Sequence, residues 1–392
     1  MRIAISGAGV AGPTLAYWLR RGGHEAALIE AAPALRTGGY MIDFWGVGYD
    51  VAERMGILSE VRSRGYQIEE VRYLDRHGRR GAAISADTIR RELADRFTSL
   101  SRGDLASVIY EALDDGVSKR FGDVIKQVTE TAGGVELTFA GGGRESFDLL
   151  VGADGAHSNV RRLAFGPDNL FERRIGYHVA AFEADGYRPR DELAYVSIGY
   201  AGRQLARFSK RADRTMFLLV FADERLESAE PATLAARKAV LCDLFADAGD
   251  EWPAIKAALS AADELYFDRV SQIVMPAWSK GRVALVGDAA ACVSLVAGEG
   301  TGLAMTEAYV LAGELGAGTN YADAFAAYER RLRPFIDGKQ RAARAFASSF
   351  TPRTALGVWF RNQVTQLMAI PGLAGLVLGA QMRDDFQLPD YR

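Results

Sequence analysis

The first thirty residues contain two apolar runs separated by a segment with helical periodicity. Residues 2–6 (RIAIS) form a short β-type run, residues 13–23 (PTLAYWLRRGG) repeat apolar positions every three to four residues, and residues 25–30 (EAALIE) form a second β-type run. Pro13 stands in the first turn of the expected helix and two glycines stand at its end, which are the positions that these residue types favour. The pattern predicts a strand, a helix and a second strand.

The pattern changes in the middle of the chain and later changes back. Polar and apolar positions alternate along 194–202, 203–210 and 215–223, which is typical of an antiparallel sheet with one polar face, and 281–290 (GRVALVGDAA) is again a continuous apolar run. We expect an α/β fold in which a Rossmann-like nucleotide-binding domain is interleaved with a mostly antiparallel β-sheet substrate domain and followed by C-terminal helices. The predicted bounds are 1–72, 98–172 and 274–345 for the first domain, 73–97 and 173–273 for the second, and 346–392 for the helical segment.

Two stretches near the C terminus, 354–370 and 372–386, have the pattern of amphipathic helices, and we expect them to pack on the substrate domain. The longest apolar run there, 369–380, is shorter than the ~20 residues of a membrane-spanning helix. No transmembrane segment is therefore predicted.

Composition narrows the function classes. The 47 basic and 50 acidic residues nearly cancel, giving a formal charge of -3, so no broad basic field exists to attract nucleic acid. Two cysteines exclude a disulfide framework, and the four histidines show no metal-ligand spacing. The first strand begins at Arg2, which leaves no room for a secretory segment. A cytoplasmic protein without a metal, either monomer or homodimer, is the expectation.

A glycine-rich turn separates the first predicted strand from the first predicted helix. It matches G-x-G-x-x-G, and a carboxylate ends the second strand, where it can accept hydrogen bonds from ribose hydroxyls. This strand–turn–helix context favours dinucleotide binding over a turn that is merely rich in glycine. The residues expected to contact the nucleotide are Gly7, Gly9, Ala11, Gly12 and Glu30.

Two later segments decide which dinucleotide is expected. Asp154 and Gly155 follow a buried run in D-G-x-x-S-x-x-R, and Gly287 and Asp288 end the apolar run near residue 285. Together with the glycine-rich turn, and with Arg102 in SRGDL, these segments resemble the group A flavoprotein monooxygenases, the family of para-hydroxybenzoate hydroxylase and the tetracycline-degrading monooxygenases. The resemblance covers residues 1 to about 345.

The resemblance implies that the cofactor is FAD, contacted by Arg102 and Asp154. It implies that Asp288 accepts hydrogen bonds from the ribityl hydroxyls. It also implies that a helix opening at Gly298, Gly300, Thr301 and Gly302 directs its N–H groups at the pyrimidine edge of the flavin. The alternative is that Asp288 caps a helix and that the glycines only pack.

The chain departs from the family pattern just after Asp288. Ala291, Ser294 and Leu295 stand where family members carry His and Pro, which leaves the conformation of the loop 291–297 open. Glu299 stands where Gln is frequent. Because a carboxylate beside an anionic reduced flavin would oppose reduction, we expect Glu299 to point into solvent.

The substrate-binding residues are harder to identify from the sequence. Arg207, Phe217 and Phe221 lie on candidate strands of the second sheet and could face the flavin, although for each residue alone a place in the ordinary core or surface of the sheet is the simpler interpretation. His157 could line the nicotinamide approach or be a solvated loop residue. The loop after Asp288 is expected to be apolar and to offer no general base.

The resemblance implies an FAD-dependent monooxygenase that consumes NAD(P)H and hydroxylates an aromatic or polycyclic small molecule with molecular oxygen through a C4a-hydroperoxyflavin. No catalytic side chain is singled out, because the flavin carries the chemistry. Two alternatives remain open. One is a flavin-dependent dehydrogenase or reductase without oxygen insertion, and the other is a flavoprotein that sequesters an aromatic compound without turnover.

Overall fold

The computed structural model describes residues 1–36, 38–75, 77–226, 230–294, 298–318, 320–368 and 384–391.

The strands are β1 (Arg2–Ser6), β2 (Glu25–Glu30), β3 (Met41–Trp45), β4 (Glu70–Leu74), β5 (Arg80–Ser85), β6 (Phe97–Ser101), β7 (Ser118–Phe121), β8 (Ile125–Glu130), β9 (Val135–Phe139), β10 (Arg144–Phe147), β11 (Leu149–Gly152), β12 (Glu172–Asp185), β13 (Ala194–Tyr200), β14 (Arg203–Lys210), β15 (Arg214–Ala222), β16 (Tyr266–Ile273), β17 (Ser279–Lys280) and β18 (Val283–Leu285).

The helices are α1 (Ala11–Arg21), α2 (Gly46–Arg54), α3 (Leu58–Arg64), α4 (Ala86–Glu92), α5 (Arg102–Glu111), α6 (Asn159–Ala164), α7 (Leu234–Leu244), α8 (Trp252–Ala261), α9 (Asp288–Ala291), α10 (Gly300–Ala317), α11 (Tyr321–Phe350) and α12 (Ala355–Met368), with short 3₁₀ turns at Asp168–Leu170 and Asp223–Arg225.

A six-stranded sheet contains the predicted strand–helix–strand unit. Its order is β17-β18-β11-β1-β2-β7, and all neighbours are parallel except the edge pair β17 and β18. The central strands are almost wholly buried, as expected for a parallel sheet covered on both faces. Ser6 pairs with Gly152, and Gly152 pairs with Leu285, so three strands end at the same edge. The α/β fold is confirmed.

A second, seven-stranded sheet has the order β16-β12-β15-β14-β13-β4-β5 and is antiparallel except where β13 meets β4. Three of its strands, β13, β14 and β15, coincide with the alternating runs of the sequence, which confirms the antiparallel sheet. β4 begins at Glu70, so the predicted bound at residue 73 falls inside a strand. The domain division as a whole stays a prediction.

The C-terminal helices pack on both parts of the fold. The helix α11 packs beside α10, and α12 packs against β5 and β13, as predicted for the stretch 354–370. Arg361 of α12 donates to Gln204 at 3.2 Å. The second predicted helix, 372–386, lies almost entirely outside the described residues. Every helix in the described ranges is too short or too polar to cross a lipid bilayer.

The α10 helix carries a fully buried carboxyl group, Glu307, which is 1% exposed. It accepts a hydrogen bond from the Gly287 backbone N–H at 2.7 Å and lies 3.1 Å from the Tyr328 hydroxyl. Burial raises the pKa of Glu307 to about 8, against the opposing effect of these two hydrogen bonds. The folded chain therefore holds a proton here that the unfolded chain releases near pH 4.5.

Glu307 should make the stability of the fold depend on pH. A carboxyl group whose pKa is higher in the folded state stabilises the fold fully at pH values below its unfolded-state pKa. That stabilisation is lost as the pH rises through the folded-state pKa. The free energy of unfolding should fall between about pH 4.5 and pH 8 by up to about 1.4 kcal/mol per pH unit from this group. Glu307→Gln should remove that slope, and Glu25→Gln, at an exposed position, should keep it. Urea titrations across this range test the prediction, and parallel curves for the wild type and Glu307→Gln would contradict it.

Candidate functional site

A cavity of about 470 Å³ opens along the edge where β1, β11 and β18 end. Its walls come from the turn after β1, the end of β2, the start of α5, the segment after β11, the strand β16, and residues of 288–294 and 298–304. A cleft at the carboxyl ends of parallel strands is where doubly wound sheets bind ligands.

The turn between β1 and α1 requires glycine for steric reasons. Gly7 has φ +108°, and a Cβ atom there would lie 2.5 Å from the Ala153 carbonyl oxygen. A Cβ atom on Gly12 would overlap the Gly7 carbonyl oxygen, so Gly12 packs the helix on the turn and does not line the cavity. At Gly9 the added atom would lie 3.4 Å from the Arg102 guanidinium. The turn and Arg102 therefore face the same part of the cavity.

The N terminus of α1 presents backbone N–H groups to the cavity. Among the described residues no side chain caps this helix, and its first turn contains no acidic residue. Ala11, in the first turn, lines the cavity. Uncapped N–H groups at a helix start attract an anion such as a phosphate.

Glu30 stands at the end of β2 on the cavity wall. Its carboxylate accepts hydrogen bonds from the backbone N–H groups of Ala8 at 2.8 Å and Ala32 at 2.9 Å. These bonds tie the glycine-rich turn to the second strand and hold the carboxylate beside the cavity.

The segment after β11 is organised by Asp154 and Arg161. Asp154 accepts hydrogen bonds from the Ser158 hydroxyl and from the backbone N–H groups of Asn159 at 2.9 Å and Val160 at 3.1 Å. Arg161 is fully buried and donates to the Ala289 carbonyl at 3.1 Å and to the Ala156 carbonyl at 2.5 Å. The arginine thus joins the Asp154 segment to the Asp288 segment.

Asp288 lines the cavity at the first position of α9. The residue before it, Gly287, is the N-cap, has φ +65° and supplies no side-chain cap. The pKa of Asp288 is raised, first by burial, while Arg102 and a hydrogen bond from Cys292 oppose the rise. A Cβ atom on Gly300 would lie only 3.6 Å from the Asp288 carboxylate. Asp288 therefore lies on the cavity wall, and its contact with a ligand stays a prediction.

The start of α10 closes the same wall. Gly298, Gly300 and Thr301 line the cavity, and the Thr301 hydroxyl is buried without a hydrogen-bond partner among the described residues. Gly302 does not line the cavity, because it sits at the crossing of α10 and α2, where a Cβ atom on Gly48 would overlap it. In the altered loop, Cys292 and Ser294 line the cavity, whereas 295–297 lie outside the described residues.

The expectation that Glu299 points into solvent is wrong. Its side chain is 17% exposed and its carboxylate lies 2.9 Å from the Lys339 ammonium. The side chain points away from the main cavity and lines a smaller neighbouring one together with Asp384. Burial raises the pKa of Glu299, and Lys339 opposes that rise.

The structure also corrects the assignment of substrate contacts. Arg207 is 3% exposed and pairs with Glu251 at 2.8 Å and Asp191 at 2.6 Å, while Phe217 and Phe221 are fully buried in the cluster between the second sheet and helices α7 and α8. These side chains do not line the cavity. A period of two shows which residues share a face of a strand but not which face meets the cofactor domain.

A second part of the cavity wall is polar, which the sequence did not reveal. His157 lies 3.0 Å from the Asp268 carboxylate, the Tyr266 hydroxyl donates to Asp268 at 3.3 Å, and the rings of Tyr40 and Tyr266 are 5.6 Å apart. All four residues line the cavity. The prediction of a wall without a general base therefore does not hold for the cavity as a whole. No local motif marks these residues, because they come from three distant segments.

The surroundings of these four polar residues shift their pKa values. The hydrogen bond that His157 donates to the Asp268 carboxylate raises the pKa of His157, although burial opposes it. Burial would raise the pKa of Asp268, but the bonds from His157 and Tyr266 lower it overall. Burial raises the pKa of Tyr40 to about 12, so this phenol stays neutral. Both shifts favour the ionised forms of His157 and Asp268, which lie beside two phenols with raised pKa values.

Comparison with known proteins identifies the family. A family model described as FAD binding domain matches residues 1–341. A flavin-dependent monooxygenase of Legionella longbeachae is 32% identical over 89% of this chain and 90% of its own length, and an uncharacterized protein of Mycobacterium tuberculosis is 37% identical over 86% and 91%. The crystal structure of tetracycline destructase Tet(51) is 30% identical with a TM-score of 0.83, covering 100% of this chain and 99% of that one. The chain therefore belongs to the FAD-dependent aromatic monooxygenase family.

Proposed function

We propose that this enzyme consumes NAD(P)H and inserts one atom of molecular oxygen into an aromatic or polycyclic small molecule. The observation that carries the proposal is the continuity of the cavity. A single space joins the glycine-rich turn, Asp288 and the start of α10 on one side to the polar wall of β16 on the other. A cofactor held along the first side leaves its reactive ring near the second.

The residues present fit FAD. The uncapped start of α1, with Gly7 to Gly12 and Arg102, would hold the pyrophosphate, and Glu30 would accept from the adenosine ribose. The raised pKa of Asp288 and the unpartnered hydroxyl of Thr301 indicate polar groups that lack strong donors or acceptors of their own. We infer that Asp288 accepts from ribityl hydroxyls and that Thr301 faces the flavin ring. Asp154 also lines this cavity, and its hydrogen bonds to α6 hold it there.

Bound FAD would accept a hydride from NAD(P)H and activate oxygen for transfer to the substrate. The protein residues have other tasks: the cavity orients the reactants, and burial excludes water. His157, with a 56% exposed side chain held beside Asp268, stands at the entrance, where a cation would meet the phosphates of the transient nicotinamide nucleotide.

The substrate is proposed to be a bulky, electron-rich phenol or enol. The support comes from the tetracycline destructases, which resemble this chain over its whole length at 29% to 30% identity. In this structure, Tyr266 and Asp268 on β16 offer a hydroxyl and a carboxylate that could hold such a phenol.

Asp288→Ala should weaken FAD binding. Loss of a carboxylate that accepts ribityl hydroxyls removes charged hydrogen bonds worth ~1.5 to 3 kcal/mol each, or about a tenfold to hundredfold loss of affinity for one bond. Titration of the cofactor-free protein with FAD measures the change, and chromatography of heat-released cofactor confirms its identity. Asp115→Ala, at an exposed loop position, is the matched control. Unchanged affinity in a folded Asp288→Ala protein would refute the assigned contact.

His157→Gln should alter the pH dependence of the KM for NAD(P)H. Because Asp268 raises the pKa of His157, the imidazolium persists above its ordinary pKa of 6.5 and is lost as pH rises further. In the wild type, the KM for NAD(P)H should increase as rising pH removes the proton from His157. The His157→Gln variant should have a high KM that varies little with pH. His77→Gln, in the β4–β5 turn, should behave as the wild type. Identical profiles for the wild type and His157→Gln would argue against the proposed entrance role.

Oxygen insertion should accompany NAD(P)H oxidation when the substrate is a polycyclic phenol. With ¹⁸O₂, the product mass should increase by one labelled oxygen, and a simple hydroxybenzoate should give little stimulation. A product without added oxygen would favour the dehydrogenase or reductase alternative. FAD that stays oxidised on anaerobic mixing with NADH and NADPH would favour a sequestering protein, and tight coupling to a hydroxybenzoate would refute the substrate class.

A further inference from the structure

A buried chain of charges lies directly behind the turn that closes the cofactor cavity. Glu299 lies between Gly298 and Gly300, which both line the main cavity, but its own side chain points to the other side. The Lys339 ammonium lies 2.9 Å from the Glu299 carboxylate and 2.7 Å from the Asp384 carboxylate. The three side chains are only 11% to 17% exposed.

The surrounding contacts fix the position of Lys339. Asp384 also accepts a hydrogen bond from the Val47 backbone N–H at 2.8 Å, which ties it to the start of α2. Lys339 lies over the ring of Phe335, 5.5 Å from its centroid, and Phe335 stacks on Phe386 at 5.3 Å. The two carboxylates raise the pKa of Lys339 against the effect of burial, so it is a cation. The ammonium is thus held by α11 and by residues 384–386 together.

The net charge of Glu299, Lys339 and Asp384 affects the cavity because Glu299 is adjacent in sequence to Gly298 and Gly300, which line it. Two carboxylates and one ammonium leave one net negative charge, and removal of the ammonium would leave a second one in a poorly solvated place. Reduction of a flavin adds negative charge to the ring, so nearby negative charge favours the oxidised form.

We propose that Lys339 is a positioning residue that neutralises Glu299 and thereby raises the reduction potential of FAD bound in the adjacent cavity. This inference rests on the proposed FAD site and adds a determinant of its redox behaviour. Lys339 reaches the cavity only through Glu299 and the turn at Gly298 to Gly300. The carboxylate at position 299 is thus compatible with flavin reduction because a buried cation accompanies it.

The test is the midpoint potential of protein-bound FAD in purified variants, measured by equilibration with a reference dye. Lys339→Met should lower the potential by roughly 30 mV or more, which corresponds to a tenfold change in the ratio of affinities for reduced and oxidised FAD. Lys339→Arg should stay near the wild type, because it keeps the charge. Arg341→Met, at an exposed position of the same helix, is the control for loss of a distant positive charge.

The double variant Lys339→Met, Glu299→Gln separates charge from structure. It restores the net charge of the wild type, so its potential should recover toward the wild-type value, whereas a merely structural defect would persist. A potential in Lys339→Met equal to that of the wild type, with FAD bound, would overturn the inference. A wild-type protein that takes up no FAD would instead overturn the proposed cofactor site, so the two failures are distinguishable.

Discussion

Parallel pairing of β18, β11 and β1 is the constraint on which the rest of the site depends. The register places Ser6, Gly152 and Leu285 side by side, so the residues that follow each strand emerge at one edge. Segments that lie 146 and 133 residues apart in the sequence (positions 6, 152 and 285) therefore form one wall. The wall exists only while these three strands are paired, because none of the segments has a surface of its own on which to build a binding site.

Close backbone packing and one buried cation hold this wall together. Glycine at positions 7 and 12 lets the turn approach the segment after β11 and lets α1 approach the turn, at distances that any side chain would prevent. Arg161 then satisfies carbonyl groups of both the Asp154 and the Asp288 segments from a fully buried position. A buried guanidinium without such partners would carry a large desolvation cost, so the two segments and the arginine stabilise one another.

The two walls of the cavity differ in origin and in chemistry. The wall from the parallel sheet consists of backbone N–H groups, glycines and a few carboxylates, as suits a phosphate and sugar chain. The wall from β16 belongs to the antiparallel sheet and carries Asp268 with its partners His157 and Tyr266. A reaction at the junction would use the first wall for holding a cofactor and the second for meeting smaller, transient ligands.

Local sequence patterns were enough to predict the first wall, whereas the second wall depends on tertiary packing. The glycine-rich turn, Glu30, Asp154 and Asp288 could be predicted because strand–turn–helix chemistry is local and its residues recur at defined spacings. The face of the second sheet that meets the cofactor domain could not be read from alternation, which is why Arg207 was misassigned and Tyr266 was missed. Glu299 was misplaced for a related reason: its partners, Lys339 and Asp384, are 40 and 85 residues away in the sequence. Long-range packing determines the direction in which a side chain points and the charge that lies beside it. A local sequence pattern predicts neither of these properties.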